Sequence, residues 1–338
     1  MPSSKIHYEA LKIPAVSTHN TISPFDMKMN GGVEVEIHVI KIIGSEKGPT
    51  VYVGGGMHGD ETNGIEAVLR LSGLLDNIEV KGTLILVPLQ NPAAYKFRTR
   101  LNPYDPIDPD WIHPGDPKGK YTQKMKYHLC NLWLNSDCII DLHTSGRKGS
   151  NNSMIYVPPE NGNGLGNESL KLSKAFGGDR IIFGSKEEDY GWPVKNAMPF
   201  VAVRNGKAGI YPEAGNGGSS IPKERHVKYF TTGVMNVLKK MDLITGDIVK
   251  QGEVLVVDPL EEKNIFLRAR VEGIFNPTVE VGEKVRKGQL LAEIHAIPKG
   301  IQKIISPMEG LVTYRHFLGP TTTGENLYTI SQSIEKII

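Results

Sequence analysis

Two side chains able to hold a metal ion, His58 and Glu61, stand three residues apart in the stretch TVYVGGGMHGDETNG from Thr50 to Gly64. The β-branched run Thr50-Val51-Tyr52-Val53 predicts a buried strand, and Ile65, Val68, Leu69 and Leu71 fit a helix after it. The pair therefore sits where a strand hands over to a helix, at the sheet edge where open α/β folds bind ligands. Imidazole and carboxylate both ligate Zn²⁺, and a catalytic His₂Glu site needs one more histidine and an open position for water. The candidate is His143, at the end of a second strand pattern, Cys138-Ile139-Ile140-Asp141-Leu142. Asp141 shares its face, because a strand turns alternate side chains the same way. A carboxylate there can orient a metal-bound imidazole. A third run, Gly209-Ile210-Tyr211-Pro212-Glu213-Ala214-Gly215, predicts a short strand ending in a glutamate. Gly54, Gly56 and Gly59 also fit G-x-G-x-x-G, the dinucleotide fingerprint. Asp60 and Glu61 crowd that loop with negative charge, which repels phosphate, so the nucleotide reading ranks below the metal reading.

Taken in order, His58-Gly59-Asp60-Glu61, Asp141-Leu142-His143 and Glu213 resemble the succinylglutamate desuccinylase/aspartoacylase family, a branch of the zinc-carboxypeptidase fold. Gln90-Asn91-Pro92-Ala93-Ala94, with Thr99-Arg100 after it, is similar to that family's Asn-Pro-x-Ala segment. The resemblance implies one Zn²⁺ per chain, held by His58, Glu61 and His143, and hydrolysis of the amide bond of a small N-acylated substrate. It implies Glu213 as general base and Arg100 as the donor to the developing oxyanion, with Arg98 as the fallback. Substrate contacts are expected from Asn91, Arg98 and Trp111. One segment departs from the family pattern: Asp110 and Trp111 stand where relatives carry Asn-Arg. An arginine fork grips a carboxylate with two bonds, which an indole and a second carboxylate cannot do. Either Lys96, Arg98 or Arg204 takes over that task or the substrate lacks the carboxylate. The alternative is a metal-binding or sensory protein on the same scaffold without efficient catalysis.

Charge narrows the classes further. Lys and Arg number 39 against 37 Asp and Glu, a formal charge of +2, which argues against a phosphate-backbone partner. The two cysteines, Cys130 and Cys138, make neither a disulfide framework nor a CxxC site, and Cys138 reads as a packed thiol. With no charged-then-apolar leader and no run of 18 apolar residues, the expectation is a cytoplasmic protein with no membrane partner. His113, in the segment that departs from the family, is a candidate pocket residue. His7, His19, His38, His128, His226, His295 and His316 lack metal-type neighbours and read as structural or surface residues.

The elements that must position these groups follow an α/β rhythm. Period-2 alternation predicts a half-exposed strand over 33–40, preceded by a turn at Asn30-Gly31-Gly32, and Lys47-Gly48-Pro49 reads as a second turn. Helices are predicted over 62–75, 121–134 and 226–241, with strands over 83–87 and 138–142. Prolines at 103, 106, 109, 114 and 117 forbid a continuous helix there. Residues 146–167, rich in Gly, Ser and Asn, predict a mobile loop beside the metal site. The expected fold is α/β, a mostly parallel sheet covered by helices, over 1–242. Glycine-punctuated β runs from 245 onward predict a small C-terminal all-β barrel over 243–338, similar to the lipoyl/biotinyl barrel. The carrier turn of that barrel falls at Pro298-Lys299, without the usual flanking residues. The module therefore reads as a cap or as support for a homo-oligomer rather than as a cofactor carrier.

Overall fold

The computed structural model describes residues 4–13, 35–103, 105–145, 149–160, 162–183, 196–216, 218, 221–257 and 263–332. The first strands are β1 (Lys5–Ile13), β2 (Val35–Ile43), β3 (Glu46–Gly55), β4 (Lys81–Val87), β5 (Cys138–Leu142), β6 (Gly149–Val157), β7 (Arg180–Phe183) and β8 (Ala208–Asn216). The helices are α1 (Thr62–Leu74), α2 (Pro92–Phe97), α3 (Tyr121–Trp133), α4 (Leu165–Phe176), α5 (Met198–Arg204) and α6 (Glu224–Lys240). A single 3₁₀ turn, Pro109–Trp111, lies among the prolines before α3.

At the centre, β4, β3, β5 and β8 run parallel in that spatial order. Alternation splits their side chains between two cores. Val51, Val53, Ile140 and Ile210 pack with α1, α4 and α6, whereas Tyr52, Ile85 and Ile139 pack with α3 and α5. Helices on both faces thus match the sequence reading. The sheet itself is mixed rather than mostly parallel: β2 joins β4 antiparallel, β1 joins β2, and β6 joins β8 antiparallel. The expected loop over 146–167 is corrected on the same ground. Residues 149–157 form β6, because a second strand can pair directly with the open side of β8 where no crossover helix intervenes. The reading over 33–40 holds from Val35, where inward residues are buried and outward ones exposed. The proposed turn at 30–32 lies outside the described residues. Lys47-Gly48-Pro49 is a register irregularity inside β3 rather than a turn that closes a region.

After α6 the chain is β-rich: β9 (Leu255–Val257), β10 (Lys263–Arg268), β11 (Gly273–Pro277), β12 (Lys284–Val285), β13 (Leu290–Ala296), β14 (Ile301–Ile305), β15 (Gly310–His316), β16 (Pro320–Thr321) and β17 (Asn326–Gln332). β9 pairs parallel with β7, and the others form antiparallel pairs around one core that includes Phe275, Leu291, Ile294, Val312 and Tyr328. Strands β15, β17, β10 and β12 extend the large sheet, since β15 pairs with β6, while β14, β13, β11 and β16 form a separate sheet. Among the described residues no helix is long and apolar enough to cross a membrane.

Candidate metal centre

The three strand ends converge as their spacing implied. Glu61 stands at the N-cap of α1, but its carboxylate makes no capping bond. It turns instead between two imidazoles: Oε1 lies 2.9 Å from His58 Nδ1 and Oε2 lies 3.0 Å from His143 Nδ1. The Thr144 backbone N–H also donates to Oε2 at 2.8 Å. All three residues are buried. His58 Nδ1 has no partner in hydrogen-bond alignment despite its short distance to Glu61. Nitrogen and oxygen are neighbours aimed past one another, as two ligands of one ion would be.

Carboxylates stand behind both rings. Asp108 Oδ1 is 3.2 Å from His58 Nε2, and Asp141 Oδ2 is 3.2 Å from His143 Nε2. A chain of side chains fixes Asp141: Tyr52 donates to Gln90 at 2.8 Å, and Gln90 donates to Asp141 at 2.7 Å. Tyr211 stacks on the His143 ring at 4.1 Å and donates to Asp110 Oδ2 at 3.0 Å. That second oxygen of Asp110 lies 3.6 Å from His58 Nε2. Gln90 and Tyr211 lie in motif segments that gave their side chains no role, and Asp108 and Lys126 had no motif to mark them. Lys126 alone had a sequence signal, a charge inside the apolar stripe of α3.

The charges respond to one another. Burial and Arg100 oppose a proton on His58, but Glu61 and Asp108 outweigh them and hold its pKa up at about 9. Burial likewise opposes a proton on His143, and Asp141 and Glu61 raise it well above the ordinary value. Burial would raise Glu61, yet the two imidazoles hold it well below the usual carboxylate range. Two cationic rings around a carboxylate form a set that can exchange its protons for one dication. The donor types suit zinc, with two imidazole nitrogens and one carboxylate from His58, His143 and Glu61 within 4.8 Å of one another.

The other expected residues fall at different depths. Arg100 reaches the centre: Nη1 donates to Glu61 at 3.0 Å, while Nε and Nη2 donate to Asp108 at 3.3 and 3.2 Å. Its side chain remains 38% exposed. Glu213 pairs with His143 across a parallel bridge and shares a strand face with Tyr211. Trp111 is 49% exposed. Asn91 braces the loop. It is buried, its Oδ1 accepts from the Ala94 N–H at 3.2 Å, and its Nδ2 donates to the Met57 carbonyl at 3.2 Å. Arg98 caps α2 in a left-handed conformation with φ of 54° and is exposed. His113 is half-buried, its ring tilted against Trp133 at a centroid distance of 5.2 Å.

The glycines of the loop are used for close approach, not for a phosphate cradle. A Cβ on Gly59 would come within 3.0 Å of the Ala94 and Tyr95 backbone, and one on Gly54 would meet Gln90 at 2.6 Å. The space a pyrophosphate needs is filled by this protein's own atoms.

A profile of the succinylglutamate desuccinylase/aspartoacylase catalytic domain matches residues 47–241. The chain belongs to the succinylglutamate desuccinylase/aspartoacylase family. It is 26% identical over 317 residues to the N-alpha-acetyl-L-2,4-diaminobutyric acid deacetylase of Halomonas elongata, covering 91% of this chain and 88% of that one. Two solved structures share the fold. A succinylglutamate desuccinylase from Silicibacter sp. superimposes with a TM-score of 0.83 at 21% identity, covering 96% of this chain and 94% of that one. The product-bound ectoine utilization protein EutE (DoeB) from Ruegeria pomeroyi gives 0.82 at 22% identity, with 97% and 95% covered.

Proposed function

We propose that this protein is a zinc-dependent deacylase that hydrolyses the amide bond of a small N-acylated compound. The observation that carries the reading is the meeting of His58 Nδ1, His143 Nδ1 and both Glu61 oxygens at one buried point. His58, Glu61 and His143 would hold a Zn²⁺ there, which would supply a Lewis acid for the scissile carbonyl and lower the pKa of water to about 7. Glu213, beside His143 in the strand register, takes the proton from the attacking water and passes it to the leaving nitrogen. Arg100 uses three of its five N–H groups on Glu61 and Asp108, so two remain for the oxyanion. A single donor in that role contributes about 3 kcal/mol to the rate. Trp111 offers an exposed apolar wall to the substrate where relatives place an arginine.

The Halomonas relative is named for removing an acetyl group from a diamino acid, so acetylated diamino acids head the substrate panel, followed by succinyl and longer acyl donors. The division into a hydrolase domain over 1–242 and a β domain over 243–338 belongs to the same proposal. Glu213→Gln tests it: the variant keeps its zinc and loses turnover on whichever amide the wild type cleaves. Unchanged turnover removes the base assignment. A second reading, metal binding without turnover, draws on Asp110 and Trp111 in place of Asn-Arg, and it predicts bound zinc with no hydrolysis across that panel.

A further inference from the structure

Lys126 is a fully buried lysine that no step above uses. It lies on the face of α3 that carries Met125, Leu129, Cys130 and Trp133 into the core, so its ammonium points inward where a hydrophobic side chain is the rule. Its Nζ has no hydrogen-bond partner. The segment carrying Asp110 packs on the same turn: the 3₁₀ helix Pro109–Trp111 precedes Gly115, where a Cβ would come within about 3.0 Å of the Lys126 carbonyl carbon. Asp110 is buried too, and its Oδ1 also lacks a hydrogen-bond partner. The two groups make no direct hydrogen bond or ion pair, and the near neighbours of Asp110 are Tyr211 and His58. A buried donor and a buried acceptor of opposite charge on packed segments are nonetheless costly alone and complementary at longer range.

We infer that Lys126 is the internal counter-cation of Asp110, and that the two act as one unit positioning the metal-binding imidazoles. Asp110 touches both rings' supports, because its Oδ2 accepts from Tyr211, which stacks on His143, and lies 3.6 Å from His58 Nε2. The electrostatics agree. Burial pulls the Lys126 pKa below the ordinary lysine value, and the charge that most opposes that fall is Asp110, followed by Asp141 and Asp108. His113 faces the same ammonium, with both ring nitrogens unbonded and its proton affinity held down, so it adds no competing cation. The arrangement also accounts for the departure at position 110. A carboxylate in place of the relatives' neutral amide is sustained by a cation supplied from α3, not by position 111, whose Trp is largely exposed.

The inference deepens the metal-centre reading of the same site, and its first readout does not require a metal. Lys126→Met, Asp110→Asn and the double variant are compared by thermal unfolding of the chelator-treated full chain. Each single variant removes one charge of the two and melts roughly 5 °C lower, as expected for a broken buried pair in a chain of this length. The double variant recovers most of that loss. Additive losses in the double variant, or a double variant that fails to fold as the singles do, overturn the pairing. The second readout is the visible spectrum of the Co²⁺-loaded proteins. Lys126→Met shifts the ligand-field bands and the double variant returns them toward wild type, whereas bands unmoved in Lys126→Met overturn the positioning role. If wild type binds no cobalt, the metal reading fails and the melting cycle alone decides the pair.

Discussion

Gly59 separates His58 from Asp60 and Glu61, and its missing side chain is what lets this loop lie on α2. A Cβ there would fall less than 3.0 Å from the Ala94 carbonyl carbon and the Tyr95 nitrogen, closer than real Cβ atoms approach. Both are backbone atoms, anchored in turn by the Asn91 side chain through Ala94 and Met57. The loop has no freedom on its other side, because the Gly59 N–H donates to the Arg100 carbonyl at 3.3 Å. Gly59→Ala therefore forces the loop and α2 apart by roughly 1 Å, and overpacking of this kind costs about 3 kcal/mol at the upper end of its range. In a protein of this size that lowers Tm by about 4 °C. A displacement near 1 Å at two metal ligands costs about 100-fold in rate. Gly73, in the last turn of α1, is the control. A Cβ there meets nothing within 4 Å, so Gly73→Ala leaves Tm unchanged or raises it, with a gain of up to about 1 kcal/mol. Calorimetry with elemental analysis of both variants measures the contrast. A Gly59→Ala protein that melts with wild type and carries a full complement of zinc would refute the packing argument.

Two further perturbations probe the surroundings of the centre. Asp141→Asn leaves the His143 ring without its carboxylate, and the affinity for zinc falls about 10- to 100-fold in a chelator competition; an unchanged constant removes Asp141 from the support of the metal. His113 gives a pH dependence. Burial, with Lys126 and Arg204, depresses its pKa to about 3 against an ordinary 6.5. The unfolded chain therefore binds a proton that the folded chain refuses as pH falls from 6.5 to about 3. Stability from this residue is intact above that window and declines on acidification by about 1.4 kcal/mol per pH unit. His113→Phe flattens this part of the acid limb in urea titrations, and an acid limb as steep as wild type contradicts the assignment.

Much of the centre was legible because local pattern and chemistry coincided. His58 and Glu61 follow a β-branched run, and His143 ends another, so strand register alone delivered all three to one edge. Helices α1, α3 and α6 carried clear periodicity and fall within two residues of their predicted bounds. What failed depended on contacts distant in sequence. β6 holds Gly, Ser and Asn residues of low strand propensity, and it forms because β8 offers an unpaired edge. Asn91 matched a motif, but the backbone bonds it makes to Met57 and Ala94 could be seen only in the folded loop. Asp108 and Tyr211 reach the imidazoles across 50 and 68 residues of chain, a distance no spacing rule spans. Lys126 drew no reading from the sequence, although it is a charge in the apolar stripe of α3.

The central claim is that one divalent ion is held by two imidazole nitrogens and a carboxylate at the ends of β3 and β5 and the start of α1. Elemental analysis of the purified full chain, before and after chelation and zinc reconstitution, tests it most directly. The account predicts one zinc per chain, lost in His143→Ala, with hydrolysis of an N-acyl amide that disappears on chelation and returns with the ion. A wild-type chain that binds no divalent metal when supplied with it contradicts the account.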